Sequence, residues 1–140
     1  MYRKNIKAYT TQNLQSELAV ADPYRVIQLL MQGCLERLSQ ARGAIERRDF
    51  EGKSQSISKS MAILNGLQDS LDLSYGKIPE DLFALYDYMK NRLMDASRDM
   101  DPEAVDEVLQ LMVTVKSGWD AIPVEERDKA LAQQKSSGGV

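Results

Sequence analysis

DPYRVIQLLMQGCLERLSQARGAIERR, residues 22–48, opens on an aspartate and a proline and then sets Ile27, Met31, Cys34, Leu38, Ala41 and Ile45 at alternating steps of four and three residues. That spacing lines up one face of an α-helix and is the seam of a helix packed against other helices. Asp22 can accept hydrogen bonds from the free N–H groups of the first turn. Pro23 suits the first helical position, where no N–H is needed. The stretch therefore predicts a helix from Pro23 to Arg48 with a buried stripe.

Outward from it the same pattern repeats three times. After Asp49, Phe50, Ile57, Met61, Leu64 and Leu71 share a face, with Ile63 and Leu67 alongside, and the segment runs into LSYGK at 73–77, where Gly76 is the expected stop. A third helix is expected from near Pro79, with Glu80 and Asp81 at its positive end and Leu82, Tyr86, Met89, Leu93, Ala96 and Met100 as its stripe. Asp101-Pro102 repeats the opening signal of Asp22-Pro23, and Val105, Val108, Met112, Val115, Trp119 and Ile122 follow before Pro123. Short connections between such helices make neighbours antiparallel, so the fold class is all-α, an antiparallel up-down four-helix bundle over residues 22–122. Residues 1–21 hold Tyr2, Ile6, Tyr9, Leu14 and Leu18 in a polar background and read as a short N-terminal cap segment. Residues 123–140 read as a C-terminal tail, a weak helix VEERDKALAQQK followed by disordered SSGGV.

Composition narrows the function. The 140 residues are 43% hydrophobic and 28% charged with a net charge of −3, so a single globular domain with a real core is expected. Histidine is absent and Cys34 is the only cysteine, which removes imidazole catalysis and clustered His/Cys metal sites. A lone thiol forms no intrachain disulfide, in keeping with a reducing, cytoplasmic setting. The longest apolar run is the five residues Leu82–Tyr86, too short for a membrane span or a signal-peptide core, so no membrane insertion is expected. No basic stripe with interleaved aromatics suggests nucleic-acid binding. Charge is nevertheless uneven. Residues 80–107 hold nine acidic and three basic side chains, whereas residues 1–53 hold six acidic and nine basic. A solvated helix face is the ordinary meaning of such charge, and steering of a charged partner is the other.

Candidates for chemistry are few. Carboxylate pairs such as Asp69 with Asp72 and Asp81 with Asp87 arise by chance on helical surfaces. Cys34 lies on the seam, where a thiol is a small inert hydrophobe. The glycines are too scattered for a phosphate loop, and Gly33 and Gly66, inside helices, suggest close approach by a neighbouring or incoming helix. No cofactor, metal or catalytic residue is assigned.

Apolar surface, by contrast, is in surplus. Val26, Ile27, Leu29, Leu30, Met31, Cys34, Leu35 and Leu38 spread over roughly 240° of the first helix, and Leu111 and Val113 widen the fourth to roughly 200°, against roughly 100° for the main stripe of the third. Uneven packing accounts for such stripes, and so does a groove filled by the N-terminal segment through Ile6, Tyr9 and Leu14 or by a partner helix. The internal methionines suit either, as gap fillers or as an adaptable surface.

The ordered set of Ala8-Tyr9, DPYRVIQLLMQG at 22–33, AIERRDFEGKSQSISKSMAILNGLQDSLD at 44–72, GKIPEDLFALYDYM at 76–89 and DPEAVDEVLQLMVTVKSGWDAI at 101–122 resembles the flagellar secretion chaperone FliS family over about residues 2–122. Where that family commonly reads Tyr-Asp-Gly, this sequence has Met31-Gln32-Gly33. The resemblance implies a cytoplasmic export chaperone without enzymatic activity that binds the disordered C-terminal region of flagellin, prevents premature polymerisation and delivers it to the export gate. It also implies that the segment around Tyr9 occupies a hydrophobic pocket until the partner displaces it. The expected partner-binding set is then Ile6, Tyr9 and Leu14 as a displaceable cap, with Leu29, Leu35, Ile57, Leu64, Leu71, Leu111 and Val113 lining the groove. The alternatives are a regulatory adaptor for another flagellar or anti-sigma-type protein and a small bundle enzyme.

Overall fold

In the computed structural model, which describes residues 22–127 and 129, four helices follow one another: α1 Pro23–Glu46, α2 Phe50–Asp69, α3 Lys77–Asp99 and α4 Pro102–Asp120. Single 3-10 turns occupy Leu73–Tyr75 and Val124–Glu126. The expected N-terminal cap and most of the expected tail lie outside the described residues.

Aspartates start the helices as their chemistry dictates. Asp22 accepts from the Arg25 N–H at 2.8 Å, Asp49 from the Gly52 N–H at 3.0 Å and Asp101 from the Glu103 N–H at 3.0 Å. Pro23 and Pro102 each follow their cap directly. Two boundaries differ from the sequence expectation. α1 ends at Glu46 because Arg48 takes a left-handed conformation, φ 59°, that turns the chain into α2. Gly76, expected to stop the second helix, instead precedes α3 with φ 107°, which only glycine tolerates readily, while α2 has already ended at Asp69. Pro79 falls in the first turn of α3, where its missing N–H costs nothing, and its ring is buried.

α1 packs on α2 and α4, and α3 packs on the same two, so the helices stand at the corners of a square. Cross-helix bonds fix their directions. Tyr24 at the start of α1 meets Trp119 at the end of α4, and Arg42 near the end of α1 meets Asp106 near the start of α4. Between α2 and α3, Lys53 reaches the Ser97 carbonyl and Gln68 reaches the Phe83 carbonyl, again antiparallel.

The core contains every member of the α1 seam, together with Tyr24. Ile57, Leu64, Leu67 and Leu71 join it from α2 and its end, Tyr86, Met89, Leu93 and Ala96 from α3, and Ala104, Val105, Val108, Met112 and Trp119 from α4. Phe50 is the exception to the expected stripe. It is the first residue of α2, 54% exposed, with the Arg48 guanidinium 5.6 Å and the Lys53 ammonium 5.7 Å from its ring centre. Gly33 and Gly66 need no close neighbour within the bundle. A methyl group on Gly33 would meet Ile63 Cδ1 at an ordinary 3.7 Å, and one on Gly66 would meet nothing within 4 Å.

Candidate partner-binding site

The α1 and α4 helices run antiparallel with apolar side chains on both sides of their junction. Leu35 from α1 and Leu111 from α4 are half-buried and pack against the core, Leu29 is half-buried, and Val113 is 38% exposed. At the α1/α4 junction Leu35, Val113, Lys116, Ser117 and Asp120 line an open cavity of ≈160 Å³. That is room for a side chain, not for a metabolite, whose sites run to several hundred Å³.

The polar edge of this cavity is fixed. Lys116 Nζ donates to Asp120 Oδ2 at 2.6 Å along the helix, and Gln28 Nε2 donates to Asp120 Oδ1 at 2.8 Å from α1. The Lys116 hydrogen bond, assisted by that of Gln28, holds the Asp120 carboxyl below the usual carboxylate range, so it stays ionised at neutral pH. The site therefore combines two apolar side chains, Leu35 and Val113, with an internally paired polar edge, and has room for one side chain.

The sequence-derived residues divide three ways. Leu29, Leu35, Leu111 and Val113 are all partly accessible, and Leu35 and Val113 meet at the cavity. Ile57, Leu64 and Leu71 belong to the core, with Leu64 fully enclosed. The physical reason is that α2 turns its periodic face inward between α1 and α3. Ile6, Tyr9 and Leu14 lie outside the described residues. Lys116, Asp120 and Gln28 were not singled out by sequence. The Lys116–Asp120 spacing of four is a readable helical ion pair, whereas Gln28 lies far away along the chain and only the fold brings it there.

Nothing in the remaining chemistry competes with this face. Asp72 caps the turn at Ser74, and Asp87 accepts from Gln68 and lies 3.6 Å from Lys90, so these two carboxylates have structural partners. The acidic stretch is tied up in pairs. Arg92 Nε donates to Glu107 at 2.9 Å and its Nη1 to Asp95 at 3.1 Å, while the Tyr88 hydroxyl also donates to Glu107. The Tyr88 hydrogen bond, with that of Arg92, holds the Glu107 carboxyl below its ordinary range. Burial pushes the Cys34 thiol up to about 12, which leaves it protonated and unreactive at neutral pH. Among the described residues no group of His, Cys, Asp and Glu is placed to hold a metal ion, and no helix is long and apolar enough to cross a membrane.

The model of the flagellar protein FliS family matches residues 5–126, the whole bundle and part of the segment before it. The chain belongs to the FliS family. Among its FliS relatives, the flagellar secretion chaperone FliSB of Pseudomonas aeruginosa is 44% identical over 120 residues, covering 85% of this chain and 95% of the relative. The flagellar secretion chaperone FliS of Vibrio cholerae is 32% identical over 132 residues, 94% of this chain and 97% of the relative. That of Salmonella typhimurium is 35% identical over 119 residues, 84% and 88% respectively.

Proposed function

We propose that this chain is a cytoplasmic flagellar secretion chaperone whose cargo is the disordered C-terminal region of flagellin. It holds that region as helix on the α1/α4 face, keeps it from polymerising and hands it to the export gate. The match to the FliS family over residues 5–126 is the observation that carries this reading. The half-open apolar α1/α4 face supports the location.

A disordered segment that orders on binding loses conformational entropy and must recover it through extended apolar contact, with a few side chains acting as anchors. Leu35 and Val113, which meet at the cavity, provide such anchors, while the partly accessible Leu29 and Leu111 lie on other flanks of α1 and α4. The enclosed Ile57, Leu64 and Leu71 serve this role indirectly by holding α2 in place. Ile6, Tyr9 and Leu14 act as a cap that covers the cavity when no cargo is bound. Binding and release of this kind need no catalysis and no cofactor.

The test is to introduce a charge at the cavity, once at the exposed Val113 and once at Leu35, which also abuts the core. Val113→Asp and Leu35→Asp, each verified as folded by circular dichroism, are compared with the parent for binding of a peptide covering the flagellin C-terminal region. The expected result is a loss of about tenfold or more for each, because a carboxylate left in an apolar contact loses its hydration. Unchanged affinity in both folded variants overturns the placement of the site, and binding of an anti-sigma-type regulator but no flagellin peptide by the parent favours the adaptor role instead.

A further inference from the structure

The two ends of the bundle's chain are joined by an aromatic pair. Tyr24, in the first turn of α1, donates from its hydroxyl to the Trp119 carbonyl oxygen at 2.6 Å, and Trp119 Nε1 donates back to the Tyr24 carbonyl oxygen at 3.1 Å. The rings stack with centres 5.1 Å apart and planes 16° from parallel. Both side chains are buried, and each polar atom that burial removes from water finds its acceptor on the other residue. The Trp119 carbonyl, in the last turn of α4, accepts the Tyr24 hydroxyl in addition to the Ile122 N–H at 3.2 Å.

A third group seats on this pair. The chain turns back after Pro123 through the turn Val124–Glu126, and the Arg127 guanidinium comes to rest 4.0 Å from the centre of the Tyr24 ring. That distance is close for a cation over an aromatic face. Arg127 Nε is enclosed and has no hydrogen-bond partner among the described residues. A residue from the stretch expected to be a tail therefore covers the joint between the first and last turns of the bundle.

This joint and the partner cavity share their framework. Gln28 stands one turn after Tyr24, Asp120 is the next residue after Trp119, and the Gln28–Asp120 hydrogen bond spans α1 and α4 at the edge of the cavity that Lys116 and Asp120 line. If the first turn of α1 moves away from the end of α4, the edge opens with it.

We infer that Tyr24, Trp119 and Arg127 form a latch through which the segment after Pro123 sets the α1/α4 cavity in its binding-ready shape. The identity of the occupant rests on the flagellin reading above, whereas the latch itself is a property of the free protein. Preorganisation of this kind raises affinity by removing an ordering cost at binding. Because coupling between two sites is reciprocal, a bound cargo must also hold the latch closed.

Three variants of the full chain test this: Arg127→Ala, which removes the cation, Arg127→Lys, which keeps it, and Tyr24→Phe, which keeps the ring but loses the hydroxyl. Trp119 is the only tryptophan, so acrylamide quenching of its fluorescence reports the joint directly. Amide hydrogen exchange is read over residues 24–30 and 116–120. Arg127→Ala is expected to raise quenching, to speed exchange in both stretches by about fivefold and to weaken flagellin-peptide binding by a similar factor, on the order of one cation–π contact. Arg127→Lys recovers part of each effect, and Tyr24→Phe reproduces the rise in exchange. Parental quenching and exchange in Arg127→Ala overturn the latch. Parental affinity in a variant whose exchange has risen overturns its coupling to the cavity. Failure of the parent to bind any flagellin peptide refutes the cargo, and with it the coupling, while the quenching and exchange arms still decide whether the latch exists.

Discussion

Replacing Leu64 with alanine separates support of the core from contact with a partner. Leu64 lies on α2 with its side chain fully enclosed, among residues of the single core cluster. Truncation removes three carbons from a packed interior and leaves a void, and such Leu→Ala changes cost about 2–5 kcal/mol. About 3 kcal/mol is expected here, because the flexible methionines Met31, Met89 and Met112 in the same cluster can relax partly into the space. For a chain of this size each kcal/mol shifts the unfolding midpoint by about 3–4 °C, so the midpoint should fall by about 10 °C. Val113→Ala removes a comparable kind of side chain from a position 38% exposed and should move the midpoint by less than about 2 °C. Thermal unfolding followed by circular dichroism measures both, and flagellin-peptide affinity is then taken well below the lower midpoint. A Leu64→Ala variant within about 1 kcal/mol of the parent would falsify the core assignment, as would a large loss of cargo affinity with no loss of stability.

Other consequences can be checked with single variants or a pH series. Gly66→Ala should stabilise the protein by about 1 kcal/mol in denaturant unfolding, since the added methyl meets nothing within 4 Å and glycine is a poor residue inside a helix; a destabilised variant refutes that. Asp101→Ala removes the carboxylate that accepts the Glu103 N–H at 3.0 Å and should cost about 1 kcal/mol, with faster amide exchange in the first turn of α4. Cys34 should resist iodoacetamide at pH 8 in the folded protein and react on unfolding. Its thiol ionises near 9 in the unfolded chain but only at about 12 when folded, so its contribution to stability is complete below pH 9 and is lost between pH 9 and 12. Rapid labelling of the native protein at pH 8 contradicts its burial.

Much of the architecture could be read from side-chain spacing, for reasons visible in particular residues. The α1 seam is buried throughout because a four-three alternation specifies one face of a helix, and Asp22 and Asp101 cap where expected because an aspartate before proline has local work to do. Phe50 misled because hydrophobicity alone extended the α2 stripe to the helix's first residue, where two cations hold the ring at the surface. Gly76 misled because glycine serves equally at the end of one helix and before the next. The partner site was only partly readable. Periodicity shows that Ile57, Leu64 and Leu71 share a face but not whether that face meets other helices or a partner. Position within the square decides it. The joint of Tyr24 with Trp119 and the hydrogen bond of Gln28 with Asp120 connect residues more than ninety positions apart in the chain, a relation that no local pattern contains.

The central claim is that flagellin's disordered C-terminal region folds onto an apolar face of this bundle, and calorimetric titration with a peptide of that region tests it most directly. The account predicts a one-to-one complex, a strongly negative heat-capacity change from burial of apolar surface and a gain in helicity by circular dichroism. A heat-capacity change near zero, or no binding of the cognate flagellin peptide by the folded parent, would contradict it.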